Sequence, residues 1–176
     1  RGGGGAWGRS ERGGGGGGAV AGERGVRFGG LEARAKAAGN NVLSTNSGGM
    51  GSARLWPAAC EAAGEVLGVE LGPQRLAEME NVGMLACVTA RGGVCHPEIP
   101  DEERQALGQR LGVEIMECTP NFGMPLVGAG VVATATGAVC GRASTGLELG
   151  RLEEALKLFC NTYNAERIHV LMTSEL

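Results

Sequence analysis

Aromatic residues make up only 3% of this 176-residue chain, and histidine occurs twice, at His96 and His169. Two histidines leave little room for acid/base or metal schemes. The six cysteines, at 60, 87, 95, 118, 140 and 160, form no C-x-x-C, which excludes the usual zinc spacings. No apolar run reaches the ~18 residues of a membrane span, and the N-terminus lacks the apolar stretch of a signal peptide. A soluble, cytosolic protein with reduced thiols is expected. Basic charge is also missing where a nucleic-acid-binding core would need it. The formal net charge is −3, and residues 1–30 hold five arginines against two glutamates, so the remainder stands at −6.

Glycine, by contrast, is abundant. Of 34 glycines, 15 fall in residues 1–30, in the runs Gly2 to Gly5 and Gly13 to Gly18. Poly-glycine loses the most entropy on ordering and has nothing to bury, so this segment is expected to be disordered. It reads as a bland linker, as an arginine/glycine arm touching RNA phosphates, or as a guanine-rich stretch translated out of frame.

The rest is organised around Val82 to Pro125. Leu85 to Thr89 predicts a strand, Arg91-Gly92-Gly93 a turn, and Val94-Cys95-His96 a returning strand closed by Pro97. A helix should begin at Pro100, at its first position, with Asp101, Glu102 and Glu103 forming a solvated acidic first turn. Leu107 and Leu111 share its buried face, Gly112 stops it, and Val113 to Met116 resumes as a third strand. The unit is ββαβ.

Imperfect copies flank it. Gly48-Gly49 matches Gly92-Gly93, and Leu67 to Leu71 matches Leu111 to Ile115, both at an offset of 44 residues. At 45 residues further on, Val82-Gly83 matches Val127-Gly128, Val94-Cys95 matches Val139-Cys140, and Leu107 and Leu111 match Leu152 and Leu156. A period in this range marks an array whose neighbours bury each other's apolar faces. Helices are predicted over Pro57 to Leu67, Pro100 to Leu111 and Thr145 to Phe159, the last opened by the capping box Thr145-x-x-Glu148. The first copy has strands over Val42 to Thr45, Met50 to Ala53 and Val69 to Leu71. Leu31 to Ala38 reads as a short helix or as the remnant of an earlier unit, Gln74 to Glu80 as the least regular link, and Cys160 to Leu176 as a tail outside the repeat. The G-x-G-x-x-A of Gly128 to Ala133 continues as a strand, which is the wrong context for a dinucleotide.

Chemistry is sparse. Cys95 and His96 are neighbours on a strand, so their side chains point to opposite faces and cannot act as nucleophile and base. His96 reads as a surface residue before a turn proline. Asn46 and Asn121 lie in turns where asparagine bonds its own backbone or meets a partner.

The motifs Asn81-Val82-Gly83, Gly93 to Pro97, Leu111 to Glu114, Asn121 to Gly130 and Thr145 to Leu156 resemble the C-terminal part of the translation initiation factor 6 family, ribosome anti-association factors of archaea and eukaryotes. The resemblance covers about Gly39 to Phe159. It implies an α+β fold, the pentein or five-fold α/β propeller of ββαβ units, here an incomplete ring of three. Residues 1–30 would be a Gly/Arg-rich segment, residues 31–159 three repeats (about 39–81, 82–126 and 127–159), and residues 160–176 a C-terminal tail. It also implies a non-enzyme that binds the large ribosomal subunit, through ribosomal protein or rRNA, prevents premature joining to the small subunit and assists large-subunit biogenesis. No cofactor, metal, catalytic residue, membrane or small-molecule substrate is expected. The setting would be the cytoplasm, with nucleus and nucleolus in a eukaryote. The family often has asparagine at the end of a unit's first strand, a position kept here as Asn46 but occupied by Ala90 and Ala135 in the other copies; Asn46, and Asn121 from its turn, are the candidate ribosome contacts. Guanidine-modifying hydrolases share the ring architecture and are the enzymatic alternative; a truncated fragment without function is the other. An open arc would leave the first unit less buried than the central one.

Overall fold

The computed structural model describes residues 37–158 and, for the backbone alone, 170–173. The Gly/Arg-rich stretch, most of the helix expected at Leu31 to Ala38, Phe159, Cys160 and His169 lie outside the described residues.

Three copies of one pattern follow each other. The first is α1 (Ala38–Asn41), β1 (Val42–Ser44), β2 (Gly49–Ser52), α2 (Pro57–Leu67) and β3 (Pro73–Gln74). The second is α3 (Val82–Leu85), β4 (Ala86–Val88), β5 (Gly93–Cys95), α4 (Asp101–Leu111) and β6 (Ile115–Glu117). The third is α5 (Val127–Gly130), β7 (Val131–Ala133), β8 (Ala138–Gly141), α6 (Gly146–Ala155) and β9 (Val170–Thr173). In each, an antiparallel hairpin is joined by its second strand to a parallel third strand, giving the orders β1-β2-β3, β4-β5-β6 and β7-β8-β9. The fold is α+β, built of repeated ββαβ units, and the sheets do not close into a barrel among the described residues.

The helices sit where the sequence places them, with shifts that have local causes. Pro57 occupies the first turn of α2, but Pro100 is the residue before α4, with φ −57° and ψ 148°. The ring fixes only φ, and the extended ψ makes Pro100 a cap. Thr145 likewise caps α6, and its capping box is present, the Thr145 hydroxyl accepting the Glu148 N–H at 3.3 Å. The third helix ends at Ala155, short of Phe159, because Lys157 turns left-handed at φ 53° while Lys157 N–H donates to the Glu154 carbonyl and Leu158 N–H to that of Glu153. Gly68 and Gly112 hold the same left-handed place after α2 and α4.

Third strands begin later than expected. Val69 and Val113 donate back to the carbonyls of Gly64 and Gly108, so those residues still belong to the helix stop. Pro73 is tolerated in β3 because that strand is a sheet edge. The segment read as a tail supplies β9, whose Val170 to Thr173 pair with Ala138 to Gly141. The one-turn helices α1, α3 and α5 were not anticipated. They pack in sequence, α1 on α3 and α3 on α5. This stacking needs glycine at Gly83 and Gly128: a Cβ at Gly83 would strike the Gly39 carbonyl oxygen, and one at Gly128 that of Gly83.

Neighbouring units share their cores. Leu43 and Met50 of the first hairpin join Leu85, Ile99, Leu107 and Leu111 of the second unit. Val94, with Cys87 and Met116 at its margin, joins Leu152, Ala155 and Leu156 of the third. The first and second sheets therefore each have their own helix on one face and the following unit's helix on the other. Of the three equivalent leucines, Leu111 and Leu156 are fully buried and Leu67 half-buried. Only α2 has no described unit before it.

Candidate functional site

Two loop systems recur and carry the residues picked out by sequence. The first is the hairpin tip, Thr45 to Gly48, Thr89 to Gly92 and Thr134 to Gly137. In each, the threonine N–H donates to the glycine carbonyl, at 2.9, 2.9 and 2.8 Å, and the threonine hydroxyl accepts the N–H two residues on. The turn is thus held by Thr45, and Asn46 stands exposed at its apex with no side-chain hydrogen bond among the described residues. Thr45 Oγ1 also donates to the Leu111 carbonyl at 2.6 Å, seating the tip on the C-terminal end of α4.

The second system is the loop that follows the third strand. Asn121, Phe122 and Gly123 are all left-handed, with φ of 56°, 60° and 87°. For a residue as bulky as phenylalanine this conformation is unusual and is kept only where surroundings impose it. Glu148 imposes it. Its carboxylate accepts Gly123 N–H at 2.8 Å, Phe122 N–H at 3.3 Å, the Thr119 hydroxyl at 3.2 Å, and Thr145 N–H at 2.7 Å. Burial alone would raise the pKa of Glu148. The bonds from Thr145, Gly123 and Thr119 outweigh it and hold the carboxyl at about 2, an anion fixed at the start of α6.

Asn121 is bound into the same construction. Its N–H donates to Ser144 Oγ at 2.9 Å and its Oδ1 accepts Ala143 N–H at 3.2 Å, while Ser144 Oγ donates to the Gly141 carbonyl. Phe122, which sequence reasoning did not single out, is left 80% exposed at the loop apex. The Asn-Phe-Gly order was the available signal, since asparagine and glycine are the residues that enter the left-handed region most readily.

The same device stands 44 residues earlier. Ala77 and Glu78 are left-handed, and Ala77 N–H donates to Glu103 Oε2 at 2.7 Å. Glu103 is therefore not a merely solvated first-turn charge, and Gln74 to Glu80 is a regular part of the repeat. Asn46 and Asn121 are not brought together. The Asn46 tip meets the C-terminal end of α4, whereas Asn121 meets the N-terminal end of α6.

No catalytic pairing forms among the described residues. His96 is buried, 4% exposed, instead of lying on the surface; its Nδ1 accepts Glu98 N–H at 3.0 Å as the chain turns at Pro97. Burial pushes the Cys95 and Cys87 thiols up to about 11, far from a reactive thiolate. Cys60, Cys87, Cys95, Cys118 and Cys140 are free thiols. No group of three or more His, Cys, Asp or Glu residues could hold a metal among the described residues, and no described helix is long and apolar enough to cross a membrane. A 240 Å³ cleft between the first two units is lined by Met50, Gln74, Leu76, Leu107 and Arg110 and offers no nucleophile.

Comparison with known proteins identifies a family. The profile of the eIF-6 family matches residues 20–155, beginning upstream of Gly39 and inside the glycine-rich stretch. The chain is 39% identical to translation initiation factor 6 of Methanosarcina mazei over 132 residues, covering 75% of this chain and 60% of that protein. It is 39% identical to the factor of Haloquadratum walsbyi over 126 residues (72% and 56%) and 37% identical to that of Pyrococcus horikoshii over 120 residues (68% and 53%). The chain thus spans little more than half the length of these relatives.

Proposed function

The chain belongs to the eIF-6 family, and from that membership we propose that it binds the large ribosomal subunit without catalysing a reaction. Binding would keep that subunit from joining the small one prematurely and would assist its assembly, in the cytoplasm and, in a eukaryote, the nucleus and nucleolus. The family match across residues 20–155 carries the reading. Recognition would run through protein or RNA of the subunit, with no cofactor, metal or small-molecule substrate.

In this reading the three ββαβ units are consecutive units of a pentein ring, residues 39–81, 82–126 and 127–159. A Gly/Arg-rich extension precedes them, and residues 160–176 lend the third unit its last strand. Asn46 fits a direct contact, because its side chain stands free at a rigid tip. Asn121 fits a positioning role, holding the loop that presents Phe122. The experiment is co-sedimentation of the purified chain with purified large subunits. Recovery in the subunit pellet supports the proposal, and a folded chain left in the supernatant overturns it.

A further inference from the structure

The contact between the first and second units differs from that between the second and third at one helix position. Arg110 in α4 and Ala155 in α6 are equivalents: a Cβ at Gly48 would strike the Arg110 carbonyl, and one at Gly92 the Ala155 carbonyl. Ala155 is buried in one cluster with Val94, Leu152 and Leu156, so that contact closes as apolar core. Val66, at the same place in α2, is apolar too. The repeat itself therefore needs no charge here. At the first contact a guanidinium stands where the second has a methyl group, and the 240 Å³ cleft lies at this place, between Met50 of β2 and α4.

Arg110 has no counter-charge among the described residues. It takes part in none of their ion pairs, and its Nη1 is buried without a hydrogen-bond partner. The guanidinium reaches over Gly72, where a Cβ would stand 3.8 Å from Nη2 and 4.0 Å from Nη1. Glu103, the acid among the lining residues, is seven residues back on α4, about 10 Å along the helix. Its carboxylate accepts Ala77 N–H at 2.7 Å. Arg75, the second cation at the rim, is matched by Glu80 at 2.9 Å. A long cationic side chain ordinarily carries its charge out to water, and a buried donor left unpaired is costly. An entering anion removes that cost.

The walls select which anion. Met50, Leu76 and Leu107 are buried apolar side chains, and Ala106 stands exposed at the mouth. The loop wall is ordered in advance, since Leu76 and Met79 exchange backbone hydrogen bonds of 3.1 and 2.8 Å and Glu103 ties Ala77 to α4. A bare phosphate would leave this apolar surface unmatched. We propose that the cleft binds a small monocarboxylate with a compact apolar body, the carboxylate forked on the Arg110 guanidinium and the body against Met50, Leu76 and Leu107. The planar guanidinium offers paired N–H donors at the spacing of two carboxylate oxygens. Sites for drug-sized molecules start at about 300 Å³, so this smaller cleft admits one phenyl ring or a short branched chain. Such a group comes as a free acid or as the C-terminal residue of a peptide, with the same chemistry.

Titration of the full chain, carrying 13C in its six methionine methyl groups, with 3-phenylpropionate tests this. The Met50 methyl signal should move saturably, at one site per chain. Arg110→Leu puts an apolar residue where the other copies have one, and Ala106→Phe fills the mouth with Arg110 intact. Both should keep the far-UV circular dichroism and cooperative unfolding of the unsubstituted chain. Each should bind the acid at least about tenfold more weakly, the first through loss of a charge-assisted pair. The uncharged 3-phenylpropanamide and inorganic phosphate should also bind at least about tenfold more weakly. Acetyl-Gly-Gly-Phe separates the sources: tighter binding than the free acid supports a peptide terminus as the occupant, and weaker binding supports a free acid. The proposal is overturned if neither acid moves the Met50 signal, if the amide or phosphate binds as well as the acid, or if either folded variant binds it unchanged.

Discussion

Glu148 accepts the backbone N–H of Gly123 at 2.8 Å and that of Thr145 at 2.7 Å, so one carboxylate starts a helix and fixes the loop that ends the preceding unit. Glu148→Gln keeps the shape but replaces one acceptor oxygen with an amide NH2, which donates and cannot accept. A buried polar group left without its partner costs about 1 to 3 kcal/mol, and chemical denaturation should show a loss in that range. The pH dependence follows from the same bonds. The folded-state value of about 2 lies below the ordinary 4.5, so the contribution is full above 4.5 and is lost as pH falls from there through about 2. The Gln variant should lack that component of acid destabilisation.

The left-handed residue after α6 gives a second expectation. Gly68 and Gly112 end the other helices in this conformation, whereas Lys157 does so with a Cβ at φ 53°. An L-residue held there costs roughly 1 to 2 kcal/mol, offset in part by the smaller entropy that lysine loses relative to glycine. The ion pair of Lys157 with Glu114, 2.8 Å and exposed on both sides, adds little. Lys157→Gly should therefore raise stability, by about 0.5 to 1 kcal/mol, read from the denaturation midpoint.

Some of this was legible in the sequence and some was not. Thr145-x-x-Glu148 is a local pattern, and the capping box stands as read. Pro57 to Leu67 was bounded correctly because a proline and a glycine mark its two ends. The second duty of Glu148, toward Gly123, depends on a contact across 25 residues that no local spacing encodes. The same holds for Glu103 and Ala77, which are 26 apart. His96 was placed on the surface from its neighbour Pro97, yet the turn folds inward and buries it. β9 could not be found by offset, since it begins well beyond the position a 45-residue period would give it. Candidate sites fared in the same way: Asn46 is recognisable as a turn residue, but the exposure of Phe122 follows from three consecutive left-handed residues held by contacts to Glu148, Ser144 and Ala143 that lie more than 20 residues away.

Glycine substitutions separate close approach from mere flexibility. A Cβ at Gly128 would strike the Gly83 carbonyl and lie 2.6 Å from that of Ala86, both backbone atoms that cannot move aside cheaply. Gly128→Ala is expected to destabilise by about 1 to 3 kcal/mol or more, as overpacking does. Gly150, inside α6 with nothing within 4 Å of its Cβ position, behaves oppositely. Gly150→Ala should stabilise by about 0.5 to 1 kcal/mol, since alanine is the better helix former. Thermal unfolding of the two variants beside the unsubstituted chain checks the pair.

Phe122 should report on partner binding without disturbing the fold. Its ring is 80% exposed, while its backbone is held by the Glu148 carboxylate through N–H bonds that do not depend on the side chain. Phe122→Ala should therefore change stability by about 0.5 kcal/mol or less. An aromatic ring on a pre-ordered loop is also the kind of residue that dominates an interface, where truncation costs about 2 kcal/mol or more. Since ~1.4 kcal/mol is tenfold, the variant should bind large ribosomal subunits at least about tenfold more weakly in quantitative co-sedimentation. Asn121→Ala differs, because it removes the acceptor for Ala143 N–H, and so should lower both stability and binding. Equal binding by the Phe122 variant and the unsubstituted chain would place the ribosome contact elsewhere, and the Asn46 tip would then be the surface to substitute next.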